Sequence, residues 1–312
     1  MIKKDDNSTF ISYQRWIYGA PYLYNVYWKD FCELENGKTE QDVTDPLEEG
    51  WEPGARVCQE SLTKAYRGCD NEGTGVFQQT LVTSALDQTL LGLNYLHDAD
   101  VIHTDIHSDN LLVALTDDSI LSTVEENELH RPSARKFVDD TIIHVSQYML
   151  GGAGALTICD LGQARIGKVH RGNAMPLPYR APEVILGMTW GNSVDVWSVG
   201  LLAWDLLHKH GIFREYDKSE ELNDAYHLAA ITALLGPPLD VFLRRSDKTR
   251  KYWDAEGKWH GPVPLPSEGG LQSLETNLSG EDRDRFIEFM GGLLTWLPED
   301  RLSSAEDTFT PG

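Results

Sequence analysis

Cysteine is scarce. The chain of 312 residues holds four, Cys32, Cys58, Cys69 and Cys159, with no C-x-x-C pair and no regular spacing. That argues against a zinc ribbon and a disulfide framework and leaves reduced thiols as the expected state. Long apolar runs are missing too. None approaches the ~18 residues of a membrane span, and the opening MIKKDDNSTF lacks the apolar stretch of a secretory signal. A soluble, intracellular protein of the cytoplasm or nucleus, with no membrane partner, is expected. Positive charge is also in short supply, with 27 Lys and Arg against 49 Asp and Glu, a formal charge of −22. Such a field repels nucleic-acid phosphates and attracts cationic peptides. Direct nucleic-acid binding is therefore not expected, although the same acidity also serves solubility alone.

What remains is a chain that folds. It is 41% hydrophobic and 24% charged, a balance that supports a sizeable core and excludes a disordered chain. Ile11 to Tyr18 and Tyr22 to Trp28 are rich in aromatic and β-branched residues around Gly19-Ala20-Pro21, which predicts two strands and a turn. From Glu33 to Glu52 the chain turns acidic and loses periodicity, ending in Trp51-Glu52-Pro53-Gly54, a linker signal. Leu81, Ala85, Leu86, Thr89, Leu90, Leu93 and Leu96 then recur at helical spacing up to His97. Asp195 to Leu207 is apolar around its whole circumference and reads as a central core helix. Helical patterns also cover Ala225 to Leu235 and Arg283 to Trp296, separated by a Pro-, Gly- and Lys-rich loop from Gly236 to Gly270.

The chemistry concentrates in Val101-Ile-His-Thr-Asp-Ile-His-Ser-Asp-Asn-Leu-Leu-Val113, where His103, Asp105 and Asn110 sit between two apolar runs. Buried anchors fix a loop and leave its polar side chains presented, as a positioned acid, base or metal ligand requires. The segment resembles the protein-kinase catalytic loop H-R-D-x-x-x-x-N. Four further signatures follow in the family's order. Ile158-Cys-Asp160-Leu-Gly162 resembles the D-F-G turn, and Tyr179-Arg-Ala-Pro-Glu183 resembles A-P-E. Asp195-Val-Trp-Ser-Val-Gly200 is similar to D-x-W-S-x-G, and Trp296-Leu-Pro-Glu-Asp-Arg301 to W-x-P-x-x-R. Thr104 in place of Arg, D-L-G in place of D-F-G, and Ala233-Leu-Leu-Gly-Pro-Pro238 resemble the SR-protein kinases, particularly their fungal members. The resemblance covers roughly residues 58 to 310.

That resemblance implies an α+β, protein-kinase-like fold. Residues 1–57 would form a reduced or incomplete amino-terminal β lobe with an acidic linker. Residues 58–312 would form a mainly helical carboxy lobe carrying an insertion near 114–155. It implies transfer of the ATP γ-phosphoryl group to Ser or Thr hydroxyls of basic, Arg/Ser-rich proteins. Asp105 would accept the hydroxyl proton, and Asn110 and Asp160 would hold magnesium (Mg2+) and thereby ATP. Glu183 and Arg301 would pair, the guanidinium fork matching a carboxylate. Asp195 would bind the catalytic-loop backbone, and His103 would pack beside the D-L-G turn.

Three features depart from the family pattern. No G-x-G-x-x-G precedes the resembling region, and Val26-Tyr-Trp-Lys29 is only faintly similar to the strand of the nucleotide lysine, with Glu33 or Glu35 behind it. His107 stands where the family places Lys, and a neutral imidazole supplies less charge at the γ-phosphate. Asp105 and Asp160 are 55 positions apart, which implies an insertion of about 35 to 40 residues, read as a surface excursion. Between Asp160 and Glu183 only Tyr179 bears a hydroxyl, so phosphorylation is a poor candidate for ordering that segment. Two competing readings stand beside the kinase. One is a pseudokinase or kinase-like fragment that binds partners without catalysis. The other is a zinc hydrolase using His97, His103 and His107 with Asp105 if His103-x-x-x-His107 is helical; it leaves the ordered distal motifs unexplained.

Overall fold

The computed structural model describes residues 10–17, 20–27, 59–61, 77, 79–114, 119–132, 134–138, 141–144, 154–267 and 269–303. Lys29, Glu33, Glu35 and the acidic linker lie outside these residues. Its strands are β1 (Phe10–Ile17), β2 (Ala20–Tyr27), β3 (Gln59–Ser61), β4 (Val101–Ile102), β5 (Leu111–Ala114), β6 (Arg135–Val138), β7 (Thr141–His144), β8 (Leu156–Ile158) and β9 (Arg165–Ile166). Its longer helices are α1 (Gln79–Asp98), α2 (Ser119–His130), α3 (Ser193–Leu207), α4 (Glu220–Leu235) and α5 (Gly280–Leu293). Two compact units emerge: Met1–Cys69 with Ser108–Cys159, and Asp70–His107 with Asp160–Gly312.

In the first unit β5 is the middle strand of a three-stranded antiparallel sheet, flanked by β3 and β8. Leu111 and Val113 are buried while Leu112 and Ala114 are less so, the period of two that a pleated strand imposes. Asn110 immediately precedes β5, and its carbonyl accepts the Cys159 N–H at 2.9 Å. Strands β1 and β2 pair antiparallel with Trp16 opposite Pro21. Pro21 thus lies inside a strand and not in the turn. A two-stranded sheet has only edges, where the missing N–H of proline is tolerated. Between β5 and β8 the chain carries α2 and the β6–β7 hairpin.

The second unit is helical. On α1 the buried residues Val82, Ala85, Leu86, Leu90, Leu93 and Leu96 form one stripe, and this stripe packs on α3. Helix α3 is buried almost all round; Trp197 and Leu202 are fully enclosed, each worth about 1.5–3 kcal/mol of apolar burial. Its approach to α5 is close at Gly200, where an added Cβ would lie 2.8 Å from the Leu294 side chain. The 236–270 segment is more structured than its composition implies. It contains short helical turns at Asp240–Leu243 and Asp247–Lys251 and a bridge between Trp253 and Trp259. Phe242 and Trp253 both pack on Trp296, so buried aromatics override the loop-forming residues around them.

Candidate active site

Helix α1 ends at Asp98, and Asp100 turns the chain with φ 57°. Strand β4 follows, both residues buried, and pairs with β9. Because β9 comes just after the Asp160 turn, this ladder brings residues 103–107 and 160–164 to the same end of the second unit.

The loop is held from below by α3. Asp195, fully buried, accepts the backbone N–H of His103 at 2.8 Å and of Thr104 at 2.7 Å, and Nε2 of His97 lies 2.9 Å from the same carboxylate. A buried carboxylate is tolerated when its lone pairs are satisfied by such donors. Thr104 adopts φ 67°, an unusual conformation for a β-branched residue that costs about 1–3 kcal/mol. The Asp195 bonds and the donation from Thr104 Oγ1 to the Gln163 carbonyl, at 2.8 Å, offset that strain. Residue 104 therefore links the loop to the Asp160 turn.

His103 is buried, and its Nδ1 accepts the Asp105 N–H at 3.2 Å. The Asp105 carboxylate is half-buried with Oδ1 3.5 Å from Nε2 of His107. Asp160 is exposed, adopts φ 63°, and receives the Gly162 N–H on Oδ1 at 3.2 Å. Asn110 is buried in a 3-10 turn, Ser108–Asn110, of the first unit. Hard cations take oxygen donors, and the Asp160 carboxylate and Asn110 side-chain amide have that chemistry. The zinc alternative does not fit this loop. Residues 103–107 form no helical turn, and His97 and His103 already use ring nitrogens on Asp195 and the Asp105 N–H. Among the described residues no group of three or more His, Cys, Asp or Glu side chains is disposed to hold a metal ion.

Glu183 and Arg301 form a two-pronged buried ion pair, both contacts at 2.7 Å. Arg301 also donates to the carbonyls of Ser193 and Thr295 and lies 5.0 Å from the Trp197 ring centroid. Arg180 organises the segment before it, donating to the carbonyls of Ala174 at 3.2 Å and Met175 at 3.5 Å. Its Nη1 lies 3.8 Å from Glu220, which also accepts from Asn173 at 3.3 Å. Tyr179 donates its hydroxyl to Asp205 on α3 at 2.5 Å. Burial raises the Asp205 pKa from its ordinary value, against the opposing influence of that hydrogen bond and of the nearby His208 charge.

The comparisons decide the family. A protein kinase domain model matches residues 56–310. The chain belongs to the protein kinase family. A serine/threonine protein kinase of Aspergillus fumigatus is 40% identical over 234 residues, covering 73% of this chain and 56% of the relative. The Physarum polycephalum serine/threonine-protein kinase SRPK is 26% identical over 263 residues, covering 74% and 60%. The crystal structure of the PF14_0431 kinase domain superposes with a TM-score of 0.57 at 21% identity, covering 80% of this chain and 69% of that one. The chain has the protein kinase fold, and it spans little more than half the length of the curated relatives it matches.

Three contributors to this site have no signature in the sequence. His97 reads as a helix end or a zinc ligand, not as a partner of Asp195. The left-handed backbone of Thr104 has no signature in a β-branched residue. Glu220 sits 40 positions from Arg180 with no motif joining them.

Proposed function

We propose that the chain transfers the ATP γ-phosphoryl group to Ser and Thr hydroxyls of basic, Arg/Ser-rich proteins. The observation that supports this most is the Asp195 clamp, which holds the loop beside Asp105 at the place the family motif assigns to the proton acceptor. As the substrate oxygen bonds to the γ-phosphorus and the bond to ADP breaks, the hydroxyl proton passes to Asp105. The role requires that carboxylate within hydrogen-bond reach of the substrate hydroxyl. Asp160 and Asn110 are the residues that would hold magnesium, which neutralises phosphate charge when bound. His107 adds positive charge only while protonated. The −22 charge suits cationic substrates.

The decisive experiment is magnesium-dependent phosphate transfer from ATP to a basic Ser-containing peptide. Asp105→Ala and Asp160→Ala are each expected to lower turnover at least about 100-fold while the protein stays folded. A folded wild-type chain that neither binds ATP nor transfers phosphate would mark a binding scaffold instead. Glu220 and two carbonyls already engage Arg180, so a phosphate on the activation segment is not needed to order it. Phosphatase treatment is expected to leave turnover unchanged; activity lost in step with phosphate released from residues 160–183 would overturn this.

A further inference from the structure

Tyr179 has its phenol oxygen committed inward, to a carboxylate on the core helix, and its ring turned toward the catalytic loop. The His107 and Tyr179 ring centroids are 6.1 Å apart with an interplanar angle of 57°, within the range of a tilted aromatic pair. Nε2 of the same imidazole lies 3.5 Å from Asp105 Oδ1. Asp195 fixes the loop at residues 103 and 104; Tyr179 meets it at 107, beyond the proton acceptor. A contact chain thus runs from Asp205 through Tyr179 and His107 to Asp105, entirely within one unit.

We propose that Tyr179 is a positioning residue: anchored to Asp205 by its hydroxyl, its ring sets the orientation of the His107 imidazole and, through it, the Asp105 carboxylate. The inference rests on the kinase reading above. A side chain of the activation segment then serves the loop directly, and the only hydroxyl of residues 161–182 is an anchor, not a phosphate acceptor. An imidazole depends on such support more than a flexible Lys does, because its nitrogen reaches the carboxylate in few ring orientations.

Steady-state kinetics of the full chain with ATP and a basic Ser peptide test the role. Tyr179→Phe keeps the ring and removes the anchor; kcat is expected to fall about tenfold through misplacement, with KM for ATP within about twofold. Asp205→Ala is expected to reproduce the loss, the double variant to be no worse than either single one, and Asp205→Asn, which keeps an accepting oxygen, to recover most of it. In a His107→Ala background Tyr179→Phe is expected to have no further effect. A full tenfold drop in that background, or a kcat loss that tracks a fall in melting temperature, would show that Tyr179 acts elsewhere. A readout independent of turnover is the NMR signal of the His107 ring, identified by its disappearance in His107→Ala. It is expected to shift in Tyr179→Phe whether or not phosphate is transferred. An unmoved signal overturns the proposal, whereas a shifted signal in an inactive wild-type protein upholds it and overturns only the kinase reading.

Discussion

Arg301→Met is expected to lower the unfolding free energy by about 3–5 kcal/mol. Glu183 is 1% exposed, and removing the guanidinium leaves its carboxylate enclosed without a counter-charge, in addition to stripping donors from two carbonyls and a cation from the Trp197 face. The magnitude follows from the orphaned charge more than from the attraction lost. Replacing both partners, Glu183→Leu with Arg301→Met, is accordingly expected to be less damaging than Arg301→Met alone, since a buried ion pair gains little over packed apolar groups. Exposed pairs behave differently. Arg285 and Glu281, 3.4 Å apart on the surface of α5, are expected to contribute no more than about 0.5 kcal/mol. Urea unfolding followed by tryptophan fluorescence separates these cases, and an Arg301→Met midpoint equal to wild type would sink the account.

The second large effect concerns pH. His227, on α4, packs against Phe213 and Tyr216, and its pKa is pushed down to about 3 from 6.5. Burial is the main cause, the Arg180 charge adds to it, and hydrogen bonding to the Leu177 backbone opposes it. A group whose folded pKa is depressed contributes stability above its unfolded pKa and loses it as pH falls through the folded one. The contribution of His227 is therefore complete above pH 6.5 and declines toward pH 3, by up to about 5 kcal/mol for a shift of this size at 1.36 kcal/mol per unit. His227→Phe fills the site with a ring that cannot charge. The gap between wild type and variant in urea midpoint is expected to move in favour of the variant on going from pH 7 to pH 4, by an amount the carboxylates common to both do not supply. A constant gap across that range would show that His227 is not held neutral.

The helices were the legible part of the fold. Helix α1 announces itself through leucines and alanines at helical spacing, and α3 through apolar residues on every side, because burial on that scale leaves a periodic trace. Both extend slightly beyond their apolar patterns, to Gln79 and Ser193, since first turns tolerate polar residues. Pro21 was less legible, because its tolerance in a strand depends on which neighbours that strand lacks. In the site, residue types and their order could be read from the chain. The backbone donors that Asp195 accepts, the left-handed turn at Thr104 and the reach of Tyr179 to Asp205, 26 positions away, could not. Main-chain groups look alike in every sequence, and a contact between distant side chains leaves no local period.

The partners in the Glu183–Arg301 pair are 118 positions apart, so during synthesis the carboxylate emerges from the ribosome long before its guanidinium. Burying Glu183 ahead of Arg301 is penalised electrostatically, so it is expected to stay solvated through that interval. The closing of the activation segment onto the helical core is then expected to wait for the synthesis of Arg301, late in the described chain.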